Sequence, residues 1–435
     1  MTGQTGRARV PAMGGDRTVP EPDIVAAEAL LLALRLDLRD PGILDAYTGP
    51  ADLKARVDME QPPSLARLRS QADDLLGRLD ATVPEPDRRA WLGGQVGAMA
   101  ARLAVLDGEP VPYLEQVRRS FGIEPRPRGA AYFDDAASEL ADLLPDDGPI
   151  ADRLSAWDQQ VTIPGDRVRE AVDIVTEVLR TRAATAFGLP AGESVRLGLV
   201  RDQPWSGYHW FDGGGRSRVD LNVDLPIRAP ALLPTLAHET YAGHHLEAAT
   251  KEAELVEGLG RVEMTAAVLL TPAAVISEGL ADLGPDILLP PRERADLLAD
   301  LMERVGVPAA SDARSAREAA ELALAIAPLR ERLREVAVDA ALARWVDGSD
   351  HDTVLELLMR AGRLPRERAE ATLRFIEDPR WRTYIHVYHE GRSLLERWVA
   401  AAPDGDRVGR FRRLFREPFT PDSIAAELVA ADGSR

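Results

Sequence analysis

Cysteine is absent from the 435-residue chain. That excludes a disulfide framework, a thiol nucleophile, thiolate-held zinc and iron–sulfur clusters, so a metal must be held by His, Asp or Glu. Histidine is itself scarce, at seven residues. Long apolar runs are missing too: those around 26–36 and 266–276 reach about a dozen residues, against the ~20 a helix needs to cross a bilayer. The opening segment, MTGQTGRARVPAMGGDRTVPEPD, carries arginines but no apolar stretch of secretory-signal length. Residues 1–21 are therefore expected to form a flexible tail, and the protein to be cytoplasmic. Lysine occurs only at Lys54 and Lys251, a compositional habit and not a recognition device.

The net charge of −18 opposes general attraction to nucleic acid or an anionic membrane, because like charges repel. The most basic stretch, 410–416, sets Phe411, Leu414 and Phe415 at helical spacing between arginines. It reads as one face of an amphipathic helix and not as a nucleic-acid patch.

Hydrophobic periodicity organises the rest. Residues 22–188 read as a succession of helices broken by Pro and Gly, among them 24–38, 65–79, 88–106 and 168–187, with apolar residues near i, i+3, i+4 and i+7. Over 193–224 the pattern changes to alternation, the one strand signal in the chain. Gly213-Gly214-Gly215 within it reads as a hairpin turn, since neither phosphate-loop glycine pattern is present. From 229 the helical pattern returns and runs to about 430, with a long segment over 312–346. The expectation is a mainly α fold, one continuous helical unit with a small β element near the active site, in which 189–435 forms the catalytic region and helices at 229–285 bind metal.

Three histidines fall within eight residues, HETYAGHH over 238–245. A zinc peptidase usually carries HExxH, whose histidines share one helix face, but the residue four after His238 is Ala242. On an ideal helix, at about 100° per residue, His244 is turned roughly 120° from His238 while His245 returns to within about 20°. Either His245 is the partner, or the helix is irregular at Ala242-Gly243 and His244 swings back; spacing leaves both open. Downstream, Glu278 interrupts an apolar helix between Ile276 and Leu280. A buried acid there requires a partner or a metal. A His/His/Glu set points to zinc.

HETYAGHH followed by SEGLADL resembles the bacterial family known as domain of unknown function 885, marked by HExxPGHH and a later EGWA-like segment. That family is similar to the all-helical Taq-type zinc carboxypeptidases, whose motif is HExGH with a later Glu. The chain departs from the family at Ala242, where it has proline, and at Leu280, where it usually has tryptophan. The resemblance implies His238, His244 and Glu278 as metal ligands, Glu239 as general base, and His245 as a supporting or substrate-contacting group. It also implies Tyr388, in Tyr388-His-Glu-Gly391, as the hydrogen-bond donor to the oxyanion. Tyr384 and His386 on the same helical stretch, and His209 in the strand region, are further candidates for contacting substrate or supporting the ligands.

These residues together predict a zinc-dependent metallopeptidase acting on a peptide substrate, an exopeptidase of carboxypeptidase type. Two other readings compete: a non-catalytic helical protein with a structural metal or none, and a zinc hydrolase of non-peptide amides. Glu239 discriminates against the first, since a structural site has no use for an acid beside a ligand.

Overall fold

The computed structural model describes residues 21–145, 147–203 and 205–432. The expected tail lies outside these residues except at Glu21, where the first helix opens. Helices stand where the periodicity puts them: Glu21–Asp37, Leu65–Thr82, Pro86–Leu106 and Val168–Ala186. Leu65–Thr82 shows the local cause. The Ser64 side chain accepts from the Arg67 backbone N–H at 3.2 Å, and Leu68, Ala72, Leu75 and Leu79 line one buried face. The stretch 312–346 is two helices and not one, Ala313–Arg334 and Val336–Trp345. Glu335, with ψ of −13°, tightens the turn between them. Arg407–Arg413 and the residues just after it bury Phe411, Leu414 and Phe415, so the basic stretch is an amphipathic face.

Among the described residues five strands accompany the helices: β1 Leu44–Tyr47, β2 Ser194–Val200, β3 Gly207–Gly213, β4 Arg216–Asn222 and β5 Ala266–Val268. β3 and β4 form an antiparallel hairpin, β2 lies parallel to β4, and β3 is left at an edge. Gly213, Gly214 and Gly215 all have positive φ, which a tight turn here requires and side-chain-bearing residues resist. β1 and β5 form a second, antiparallel sheet. This corrects the expectation of strands at 193–224 alone and unbroken helix after 229. Its strands are four and three residues long, too short for alternation to register, and β5 is mostly alanine.

One connected set of buried apolar side chains runs from Val25 to Ile424 and crosses position 188 without a gap. At its centre helix Pro272–Leu288 packs on helix Ile385–Ala400. The two approach most closely at Gly279 and Gly391, where a methyl on Gly279 would stand 2.5 Å from the Gly391 carbonyl carbon. Glycine at both places lets the backbones meet, and that contact sets Glu278 beside Tyr384 and Tyr388. Among the described residues no helix is long and apolar enough to cross a membrane.

Candidate metal centre

Helix Ala229–Glu239 delivers His238 and Glu239 and then stops, because Thr240 leaves helical geometry with φ −120° and ψ −108°. The chain turns through 240–243, and a new helix, His244–Lys251, begins with Gly243 as its first cap. A side chain at Gly243 would collide with the His238 carbonyl group. The break therefore folds His244 back onto His238, the irregular alternative that spacing had left open. His245, one residue on, turns the other way and is fully buried.

The resulting cluster is compact. His238 Nε2 and His244 Nε2 are 3.1 Å apart, and Glu278 Oε2 lies 3.4 and 3.7 Å from them. A tetrahedral zinc with ligands at about 2.0–2.2 Å separates its donor atoms by roughly 3.3–3.6 Å, so the three atoms fit one ion. Their outer atoms are already committed. His238 Nδ1 meets Asp282 Oδ1 at 2.9 Å, and His244 Nδ1 meets Ser277 Oγ at 3.1 Å. Ser277 donates its own proton to Glu247, so it can only accept from His244. Carboxylate and hydroxyl acceptors at Nδ1 orient both rings so that each Nε2 faces inward. Glu278 Oε1 accepts from the Tyr384 hydroxyl at 3.0 Å, whereas Oε2 is buried with no hydrogen-bond partner. A buried carboxylate oxygen without a partner is costly, and a cation between the three atoms supplies one. Burial opposes charge on His238, but Asp282 and Glu278 outweigh it and hold its pKa well above the usual imidazole range. Burial likewise opposes charge on Glu278, and His238 and His244 bring its pKa below the ordinary carboxylate value.

Glu239 is 9% exposed and makes no side-chain hydrogen bond to a described residue, and burial raises its pKa. It lines a cavity of about 340 Å³ together with His238, Asp282 and Thr235. Tyr384 is a support of Glu278. Tyr388 stacks edge-on against it at 5.6 Å, with a hydroxyl free of described partners and a pKa pushed well up by burial. His209 and His245 flank the cluster through one chain of contacts. His209 Nε2 meets Ser217 Oγ at 2.8 Å, Ser217 meets His245 Nδ1 at 2.8 Å, and His245 Nε2 meets Glu193 at 3.0 Å. His386 does not belong to this group. It is fully buried against Tyr113, whose hydroxyl lies 2.9 Å from its Nε2, and burial depresses its pKa to about 3. It sits two residues from Tyr384 and Tyr388 on the same helical stretch, which turns it to another face.

Four neighbours escaped the sequence reading. Asp282 follows Glu278 by four residues on one helix, a spacing that could have revealed it. Ser277 carried no such signal. Asp45, on β1, accepts from the Tyr208 hydroxyl and lies within the electrostatic reach of His244 and Glu278. Nothing local marks either residue, because the contact joins segments 163 residues apart.

No protein-family model and no curated protein matches the chain. Among solved structures it is similar to the "putative lipoprotein from Colwellia psychrerythraea", at 13% identity and a TM-score of 0.51 over 96% of this chain and 78% of that one. It is also similar to "a putative lipoprotein of unknown function from Shewanella oneidensis", at 13% identity and a TM-score of 0.48 over 94% and 83%. At that identity the first likeness concerns the fold alone.

Proposed function

We propose that the chain is a zinc-dependent metallopeptidase that removes residues from the carboxyl end of peptides. The observation that carries the reading is the meeting of His238 Nε2, His244 Nε2 and Glu278 Oε2, an oxygen that accepts no hydrogen bond, at close to tetrahedral spacing. The resemblance of residues 238–245 and 277–283 to the HExxPGHH family and to Taq-type carboxypeptidases supports it. A zinc ion there supplies an acidified water and a polarised substrate carbonyl. Glu239, uncommitted in its cavity, takes the proton of the attacking water and returns it to the leaving amine. The Tyr388 hydroxyl, kept protonated by burial, donates to the oxyanion. The free edge of β3 can pair with an extended peptide backbone.

A purely structural metal site would need no acid beside a ligand, and Glu239 with its free carboxylate speaks for the hydrolase. Metal analysis of the purified protein, with mass spectrometry of a digested peptide library, tests the reading. Glu239→Gln should keep fold and zinc while cleavage falls by ~10²–10⁴-fold, the usual share of general acid–base catalysis. Cleavage by that variant at the native rate refutes the mechanism. Bound zinc with hydrolysis of non-peptide amides alone would favour an amidohydrolase, and with no hydrolysis at all a binding protein.

A further inference from the structure

A second, smaller cavity lies between helix Pro86–Leu106, helix Tyr113–Phe121 and the stretch 379–383. Its polar lining is Arg102, Arg380, Arg382, Gln116, Ser120 and Thr383, with no carboxylate among them. It shares no lining residue with the cavity beside Glu239. Asp40 pairs with Arg102 at 2.7 Å and also with Arg380. Arg382 forms no ion pair with a described residue, although the chain has 71 acidic residues against 53 basic ones. Three guanidinium groups thus meet one carboxylate, and two positive charges stay uncompensated.

Hydrogen-bond donors are left over as well. Arg382 donates from Nη2 to Gln116 Oε1 at 2.9 Å, while its Nε is buried with no hydrogen-bond partner. Gln116 is held in that orientation because its amide nitrogen donates to the Val111 carbonyl at 2.6 Å. The Trp345 ring, 4.8 Å from the Arg382 guanidinium carbon, covers one face of the fork. Ser120 and Thr383 are buried, and neither hydroxyl bonds to a described residue. Burial disfavours the charge of Arg382, and Arg102 beside it disfavours it further. Buried charges are ordinarily paired; here the lining offers cations and donors with no anion to meet them. The space open to the centres of oxygen-sized atoms is about 20 Å³. One tetrahedral oxyanion, whose oxygens all lie one bond length from its central atom, suits a space of that size. Planar forks and hydroxyls converging from three segments match several oxygens better than they match one spherical halide.

We infer that Arg102, Arg380 and Arg382, with the hydroxyls of Ser120 and Thr383, bind one small tetrahedral oxyanion, a phosphate or sulfate group. The anion joins two helices to the stretch 379–383. Thr383 immediately precedes Tyr384, whose hydroxyl donates to Glu278, so the bound anion anchors the backbone from which that support is given. Two sources share the chemistry, the free ion and a phosphate monoester whose organic part projects from the cavity. The site stands whether or not the chain is a peptidase.

Calorimetric titration of the full-length protein with inorganic phosphate, in gluconate buffer of fixed ionic strength, tests the site and needs neither zinc nor a peptide. Phosphate should saturate one site per chain, and by linkage the melting temperature should climb with its concentration. Arg382→Gln should weaken binding about 10–100-fold, the range expected of a charge-assisted hydrogen bond. Ser120→Ala keeps every arginine and should weaken it about 2–10-fold, as loss of a neutral hydrogen bond does; this variant carries the test if Arg382→Gln loses the native circular dichroism. Arg314→Gln removes the same charge from a side chain 88% exposed and should leave the affinity unchanged. Sulfate should compete with phosphate. Glycerol phosphate binding more tightly than inorganic phosphate keeps the site and assigns it to the ester. Chloride binding as tightly as phosphate, no saturable binding, native affinity in folded Arg382→Gln, or an equal loss in Arg314→Gln overturns the inference.

Discussion

The turn between His238 and His244 gives the sharpest test of how the candidate centre is assembled. A methyl group at Gly243 would stand 2.6 Å from the His238 carbonyl carbon and 2.9 Å from its Cα, and closer still to the carbonyl oxygen. Carbon atoms in contact sit about 3.5–4.0 Å apart, so Gly243→Ala must push the two backbones apart by roughly 1 Å. No rotamer change relieves a clash with backbone. The proposed ligands ride on those two backbones, and metal–ligand distances tolerate only about ±0.2 Å. Zinc affinity, read by competition with a chelating dye, should therefore fall by at least the ~10–100-fold that loss of a supporting contact produces. Overpacking should also lower stability by about 1–3 kcal/mol in chemical denaturation. Gly97→Ala provides the control. Nothing lies within 4 Å of a methyl there, inside helix Pro86–Leu106, so alanine should stabilise that helix by roughly 0.5–1 kcal/mol and leave zinc untouched. If Gly243→Ala binds zinc as tightly as the native protein, the break at 240–243 is not what brings His244 to His238.

His245→Ala leaves Glu193 Oε2 and Ser217 each short of a buried partner, which should cost about 1–3 kcal/mol yet keep the zinc content; loss of zinc would make His245 a ligand. Asp282→Asn keeps the shape but removes the charged acceptor at His238 Nδ1, and chelator titration should show about 10–100-fold weaker zinc binding. Native affinity would deny Asp282 its supporting role. Burial opposes ionisation of Glu427, but hydrogen bonds from Arg413 and Trp398 outweigh it and lower its pKa below 4.5. A lowered acid stabilises the fold above its unfolded pKa and loses that effect as pH falls through the folded value. The melting-temperature gap between the native protein and Glu427→Gln should thus be constant above pH 4.5 and shrink in acid; a gap that widens in acid contradicts the assignment.

Much of the candidate centre was legible in the sequence. His238, Glu239 and the GHH triplet stand out in a chain with seven histidines, and Glu278 is conspicuous as an acid flanked by apolar residues such as Ile276 and Leu280. Both signals are local, as are the stripe Leu68, Ala72, Leu75 and Leu79 and the triple-glycine hairpin. The sheet of β1 and β5 was not legible, nor was the approach of Asp45 and Tyr208, since each depends on which remote segments meet.

By itself the sequence determined the helix periods, the turn at Gly213–Gly215, the types of residue able to hold a metal and the exclusion of cysteine chemistry. Spacing left His244 and His245 both open and the resemblance implied His244; tertiary structure brings His244, and not His245, to His238 and Glu278. On an ideal helix His245 is the better match; it loses because the helix ends at Glu239. The backbone then threads between neighbours that leave no room for side chains: a methyl on Gly243 would meet His238, and one on Gly284 would stand 2.9 Å from the Ala242 carbonyl carbon. Periodicity reports what repeats along one segment. A break in it is set by what packs against that segment, and here the packing comes from helix Pro272–Leu288, whose Glu278 completes the cluster.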